Sequence, residues 1–191
     1  DLEADTLVSL TGDPATALAV ARSIITELAY SPLADTINLV LVGDLGTHAA
    51  ARLDRVTAAD TWADVLPDVT AWATQSHRVL AEHHWANPFV ARAASDHDAL
   101  TPLVVIGNRP PDADELAALA GLAPAAVAVV SVGEPLAAGT VIDCQPDRLT
   151  VTDIGLTCEP QGLDATTVEQ IVDLLEPHDA TPPTPADSND D

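Results

Sequence analysis

Apolar positions along the chain fall into short runs separated by longer segments of helical period. Leu7-Val8-Ser9-Leu10 is followed by Thr11-Gly12-Asp13-Pro14. That order predicts a strand, a tight turn and a helix start, with Asp13 as N-cap and Pro14 as first helical residue. Leu18, Ala21, Ile25 and Leu28 then recur at i, i+3, i+7 and i+10, one stripe of an amphipathic helix that Ser31-Pro32 ends. Ile37 to Val42 is a near-continuous apolar run rich in β-branched residues, the mark of a strand covered on both faces, and Gly43-Asp44-Leu45-Gly46 turns sharply after it. The next 50 or so residues are helical in pattern, with Trp62, Val65, Val69, Trp72, Val79 and His83 spaced by three, four or seven. Pro67 interrupts or starts a helix there, and Asn87-Pro88 starts a short further one.

Leu103 to Ile106 reads as a third strand and Gly107-Asn108-Arg109-Pro110-Pro111 as its turn. Asp112 or Asp114 caps a helix through Leu116 and Leu119 that ends at Gly121, and Ala126 to Val132 is a fourth strand. Short buried strands alternating with helices predict a parallel sheet covered on both faces, because parallel strands need helical crossovers. After Gly139 the pattern changes. Thr140 to Cys144, Leu149 to Thr152 and Leu156 to Glu159 leave no room for helices between them, which predicts an antiparallel edge or meander. Asp164 caps a last helix carrying Val168, Ile171, Val172 and Leu175, which packs back on the sheet. The expected organisation is one α/β domain over residues 1–175 and an acidic, proline-rich linker or disordered tail over 176–191.

Charge narrows the functions open to such a domain. The 191 residues carry 30 acids against seven basic residues, all arginine, for a net charge of -23. Removing Glu176, Asp179, Asp187, Asp190 and Asp191 still leaves 25 against seven, so the acidity belongs to the fold. It reflects a GC-rich genome or a high-salt cytoplasm; composition does not separate the two. With no lysine, neither a Schiff-base lysine nor a phosphate-loop lysine exists. Nucleic acid would be repelled, since phosphate contacts need a positive footprint. No apolar run approaches the roughly 18 to 20 residues of a membrane span, and no signal segment opens the chain, so this stretch reads as soluble. It starts at Asp1 and contains no methionine, as expected of a piece of a longer protein. Cys144 and Cys158 lack metal-site spacing and read as reduced thiols on short strands.

The first turn invites comparison with a phosphate-binding loop, G-x-x-x-x-G-K-[ST], in which backbone amides close around phosphates, a lysine reaches the terminal ones and a hydroxyl holds magnesium. Gly12 takes the first glycine's place and the four-residue spacer fits. Ala17, Leu18 and Ala19 then stand where glycine, lysine and Ser or Thr are needed. A helix N-terminus can still bind an anion through free amides, but Asp13 places a carboxylate where phosphate would go and Pro14 removes a donor. No cofactor is expected. His77 and His84, seven apart on one helix, share a face while His83 is turned away, and His97 lies between Asp96 and Asp98. These three are the metal candidates, set against a surface that is merely histidine-rich. No nucleophile elbow exists; Ser9 and Ser131 read as strand hydroxyls bonded to backbone, and Trp62 and Trp72 as core.

In order, these strand-and-turn units resemble those of FtsK/SpoIIIE-type P-loop ATPases, including the ATPase modules of type VII secretion. Leu103 to Asn108 lies where four apolar residues should precede the Asp and Glu that hold magnesium and polarise water; Gly107 and Asn108 replace those acids. Val129-Val130-Ser131-Val132-Gly133-Glu134-Pro135 is similar to the family's fourth strand and its Thr-Gln-Arg-Pro ending, with Gly133 for the glutamine and Glu134 for the arginine. The resemblance implies a three-layer α/β sandwich whose mainly parallel sheet runs in the order 2-3-4-1-5, with an antiparallel extension over residues 140 to 159. It also implies a vestigial phosphate loop at Gly12, Asp13, Pro14, Ala17, Leu18 and Ala19, and a vestigial magnesium site at Gly107 and Asn108.

More narrowly, Asp1-Leu2-Glu3 leading into Leu7 to Pro14, with Leu149-Thr150-Val151 and Gly155-Leu156-Thr157, resembles a module of large actinobacterial proteins. Those proteins join transmembrane segments and a LysM domain to a bacterial transcriptional activator domain, which would put this module on the cytoplasmic side. The expected function is a non-catalytic structural or regulatory interaction domain of a membrane-associated regulatory protein, engaging a protein partner or neighbouring domains. The alternatives are a nucleotide-sensing domain without hydrolysis and a metal-dependent enzyme using the histidine-rich segment. Alone it is expected to be a monomer, because its charge opposes self-association at low salt.

Overall fold

The computed structural model describes residues 6–31, 34, 36–47, 53–94 and 100–175. Its elements are β1 (Leu7–Gly12), α1 (Pro14–Tyr30), β2 (Asn38–Val42), β3 (Val56–Ala59), α2 (Trp62–His83), α3 (Pro88–Ala94), β4 (Leu103–Gly107), α4 (Ala113–Ala120), β5 (Val127–Val132), β6 (Thr140–Gln145), β7 (Arg148–Val151), β8 (Leu156–Cys158) and α5 (Ala165–Leu175). The strands form a single eight-stranded sheet in the order β3-β2-β4-β5-β1-β6-β7-β8. Within it the run β2-β4-β5-β1-β6 is the order implied by the resemblance, now seen directly.

Two differences matter. Val56–Ala59, read as part of a helical region, is a strand parallel to β2 at the sheet's edge. The extension after Gly139 is only partly antiparallel: β6 pairs parallel to β1, with Ser9 opposite Val141, and the direction reverses at β7 and β8. The short Pro146-Asp147 connection explains why β7 must run back along β6, since a tight turn can join only antiparallel neighbours.

Strand side chains alternate between two cores. On one face Val8, Leu10, Leu39, Leu41, Val104, Ile106, Val130 and Val132 meet Ala17, Val20, Ala21, Ile25 and Ala29 of α1, and α5 packs against α1. On the other, Leu7, Val42, Leu103, Val105, Val127 and Val129 meet Trp62, Val65, Val69 and Ala73 of α2 and Leu119 of α4. Each fully buried aliphatic side chain, such as Ile25 or Leu10, contributes about 1.5–3 kcal/mol by leaving water. That covering on both faces is why the strands read as continuous apolar runs.

The helix ends follow their local chemistry. Asp13 is the N-cap of α1 with Pro14 at its first position, and Asp112, of the two candidates, caps α4 in a reciprocal box with Glu115. Asn87 caps α3 through Val90 N–H, and Asp164 caps α5 through Thr167 N–H. Pro67 neither starts nor interrupts a helix: α2 begins at Trp62, behind a Thr61–Asp64 capping box, and passes through it. At the other end of α1, Arg55 lies beneath the last turn. Its Nη1 donates to the carbonyls of Leu28 (2.8 Å), Ala34 (2.6 Å) and Ile37 (3.1 Å), and its Nη2 to that of Ala29. A cation thus satisfies carbonyls that a helix end leaves without intrahelical partners.

Candidate functional site

In open parallel sheets, ligands settle outside the carboxyl ends of the strands, where the strand order changes direction. Here a cleft of about 590 Å³ opens at the ends of β1, β4 and β5. Leu10, Ala17, Leu18 and Val132 form an apolar floor, Pro14 and Pro135 form walls, and the carboxylates of Asp44 and Glu134 stand at the rim. Among the described residues no cationic side chain lines it. A second cleft of about 530 Å³ continues past Asp44 and Asn108 to Asp60 and Arg109.

The first turn contains no loop. β1 stays paired with β6 as far as Gly12 opposite Cys144, and α1 begins at Pro14, so Asp13 alone separates strand from helix. Gly12 takes a φ of +92°, and a Cβ there would collide with the Asp143 carboxylate and the Cys144 carbonyl. The Asp13 amide donates to the Cys144 carbonyl at 2.8 Å. The spacer that fitted a phosphate loop by length is the N-cap and first turn of a helix, and Ala17, Leu18 and Ala19 are helical residues.

Two amides of that first turn, those of Thr16 and Ala17, are already committed. Asp13 Oδ2 accepts from Thr16 N–H (2.8 Å) and from the Thr16 hydroxyl (2.7 Å), while Ala17 N–H donates to the Asp13 carbonyl (2.9 Å). Pro14 has no N–H to give. A carboxylate of the chain itself therefore sits where a helix N-terminus would hold a phosphate. The Thr16 hydroxyl first, and then the Thr16 amide, hold the Asp13 carboxyl below the usual aspartate range. Because the folded pKa lies below the unfolded one, near about 3.9, this contribution is complete above that pH and is lost as pH falls through the folded value. Asn caps helices about as well as Asp. Asp13→Asn should therefore lose less stability than wild type between about pH 6 and about pH 3, compared by urea midpoints. Parallel curves for the two proteins would show that the Asp13 cap carries no pH dependence.

Gly107 and Asn108, which the family resemblance would align with the magnesium-site acids, hold structural contacts. Gly107 is buried, and a Cβ built on it would fall inside the Trp62 indole, against Cζ2 and Cε2. The same indole donates its Nε1–H to the Arg109 carbonyl at 3.0 Å. Asn108 lies against Gly43, donates its Nδ2–H to the Asp44 carbonyl at 3.1 Å and its backbone N–H to the Val42 carbonyl at 3.0 Å, tying β4 to β2. At the end of β5, Gly133 N–H donates to the Leu10 carbonyl at 2.9 Å, and Glu134 is exposed. Ser9 Oγ accepts from Leu136 N–H at 3.0 Å, as expected of a strand hydroxyl. Ser131 Oγ differs from its expectation, being buried without a hydrogen-bond partner.

Of the described arginines, Arg22, Arg55 and Arg92 are half-buried, while Arg78, Arg109 and Arg148 are exposed. Besides Arg55, Arg22 Nε donates to the Leu45 carbonyl, Arg92 Nη1 to that of Leu100 and Arg109 Nη1 to that of Pro110. Cys144 is buried in β6 and Cys158 is exposed on β8, both as free thiols. Burial, then the neighbouring Asp143 charge, pushes the Cys144 thiol up to about 11.

The structure does not bring the histidines together. α2 ends at His83, and His84 leaves the helix in a left-handed conformation at its C-cap, so His77 and His84 do not share a helical face. His83 stacks on Trp85 with centroids 4.4 Å apart, His77 Nε2 is buried without a partner, and His97 lies outside the described residues. Among the described residues no group of three or more His, Cys, Asp or Glu is placed to hold a metal. Nor is any helix among them long and apolar enough to cross a membrane.

No protein-family model matches the sequence, and no curated protein sequence matches it. Among solved structures, EssC (ATPases 2 and 3) from Geobacillus thermodenitrificans is similar, with a TM-score of 0.64 over 89% of this chain at 12% identity. This chain spans 43% of that two-ATPase structure. At that identity the likeness is one of architecture, and the fold is P-loop NTPase-like.

Proposed function

We propose that this domain is a non-catalytic structural or regulatory interaction module of a larger bacterial membrane-associated regulatory protein, acting on the cytoplasmic side through a protein partner or neighbouring domains of its own chain. The observation that carries the reading is the Asp13 carboxylate, which takes up the Thr16 amide and hydroxyl at the helix start, where a nucleotide phosphate would have to sit. Three further features support it: the chain has no lysine, Asp44 and Glu134 line the cleft with no cationic side chain among its described lining residues, and Gly107 is crowded by Trp62. In the similar EssC structure this architecture belongs to ATPases; here the carboxylates lining the cleft oppose a triphosphate.

Melting curves with ATP, ADP or GTP and magnesium test this. A ligand at 100 times its Kd would stabilise the fold by about 2.7 kcal/mol, and no saturable shift is expected with any of the three. A saturable rise in melting temperature would replace this reading with that of a nucleotide sensor.

A further inference from the structure

We propose that the cleft at the carboxyl ends of β1, β4 and β5 docks an extended segment of a partner protein that presents an aliphatic side chain with an arginine or lysine beside it. The inference rests on the interaction-module reading and names the surface and its partner's chemistry. At about 590 Å³ the cleft is within the range of about 300–1,000 Å³ typical of ligand sites. The half-buried Leu18 and the exposed rings of Pro14 and Pro135 offer apolar surface there, which an aliphatic side chain would cover and a phosphate would not.

The rim selects the sign of the charge. Glu134 is exposed on one side, and on the other Asp44 is held in its turn by Gly46 N–H on Oδ1 at 2.9 Å. The second cleft extends the path past Asn108 to Asp60, where Arg109 also stands and limits the run of acidic lining, giving an extended chain, which rises about 3.3 Å per residue, a direction along the strand ends. The field of a chain with net charge -23 draws a cationic segment in and turns nucleic acid and anionic lipid away. A polyamine would satisfy the rim and leave the apolar surface in water. An amphipathic basic segment satisfies both.

The test uses the whole chain and a fluorescein-labelled octapeptide of alternating leucine and arginine, followed by anisotropy at about 0.15 M salt. Glu134→Arg reverses the rim charge, and Asp153→Arg, in the exposed turn between β7 and β8 at the opposite end of the sheet, makes the same change of net charge away from the cleft. Saturable binding is expected, weakened about tenfold by Glu134→Arg and less than about twofold by Asp153→Arg. A peptide with serine in place of leucine should bind about tenfold more weakly. Equal weakening by the two reversals would reduce the effect to the overall field and overturn the docking site, as would equal binding of the two peptides or no saturable binding. Those outcomes leave the nucleotide titration untouched, so the docking site can fail while the interaction-module reading stands.

Discussion

Gly107→Asp, which puts back an acid where an ATPase would hold magnesium, is expected to unfold the domain rather than revive it. Gly107 is buried, and any side chain there enters the space of the Trp62 indole, a ring that is itself fully buried and anchored to the Arg109 carbonyl. Overpacking of this kind costs about 1–3 kcal/mol. A carboxylate buried without a partner adds several kcal/mol. Together they reach at least about 5 kcal/mol, a large share of the roughly 5–15 kcal/mol that holds a domain folded. Gly107→Ala should show the steric part alone, at about 1–3 kcal/mol. Urea denaturation followed by tryptophan fluorescence reads both. A Gly107→Asp protein within about 1 kcal/mol of wild type would mean that Trp62 yields easily and that the contact is not what keeps this position a glycine.

The second large effect is expected at Arg55. Its guanidinium binds the carbonyls of Leu28, Ala29, Ala34 and Ile37, joining the end of α1, the approach to β2 and the start of β3. Arg55→Ala leaves those acceptors without their charged donor, at about 3–4 kcal/mol. For a domain of this size that lowers the melting temperature by roughly 6–15 °C. Arg55→Lys should recover less than half, because an ammonium cannot reproduce the planar fork that spans acceptors on two sides. Amide exchange should quicken first in the last turn of α1. A loss below about 1 kcal/mol for Arg55→Ala would show that these contacts are exchanged for water at no cost.

The residues that announced themselves in the sequence are those whose effect is local. Asp13-Pro14, Asn87-Pro88, Asp112 and Asp164 act within one helical turn, and the apolar runs of β2, β4 and β5 need only their own covering on both faces. Val56–Ala59 escaped because an edge strand of four residues with a single buried side chain shows neither alternation nor a continuous apolar run. Pro67 marks no boundary because the Thr61–Asp64 box fixes the helix start ahead of it, and the helix accommodates the one hydrogen bond that the proline leaves unmade.

At the site, one sequence signal was present and read two ways. Asp13-Pro14 predicts a helix beginning at residue 14, and a helix beginning there leaves no residues for a phosphate loop between 13 and 18. The meeting of Trp62 with Gly107 could not be seen at all, since 45 residues separate them and only the sheet brings them together. The same holds for Arg55 and its carbonyls, whose sequence neighbours give no hint of a shared helix end.

The position of β1 shapes how the domain comes into being. Val8 stands opposite Val130 on one side and Thr140 on the other, so β1 is sealed between two strands synthesised after it. At about 5–20 residues per second, a ribosome takes roughly 7–25 s to deliver those flanks after Leu10 has been made. Throughout that interval a short sticky segment waits for its berth, and helpers that shield such segments would find their moment there.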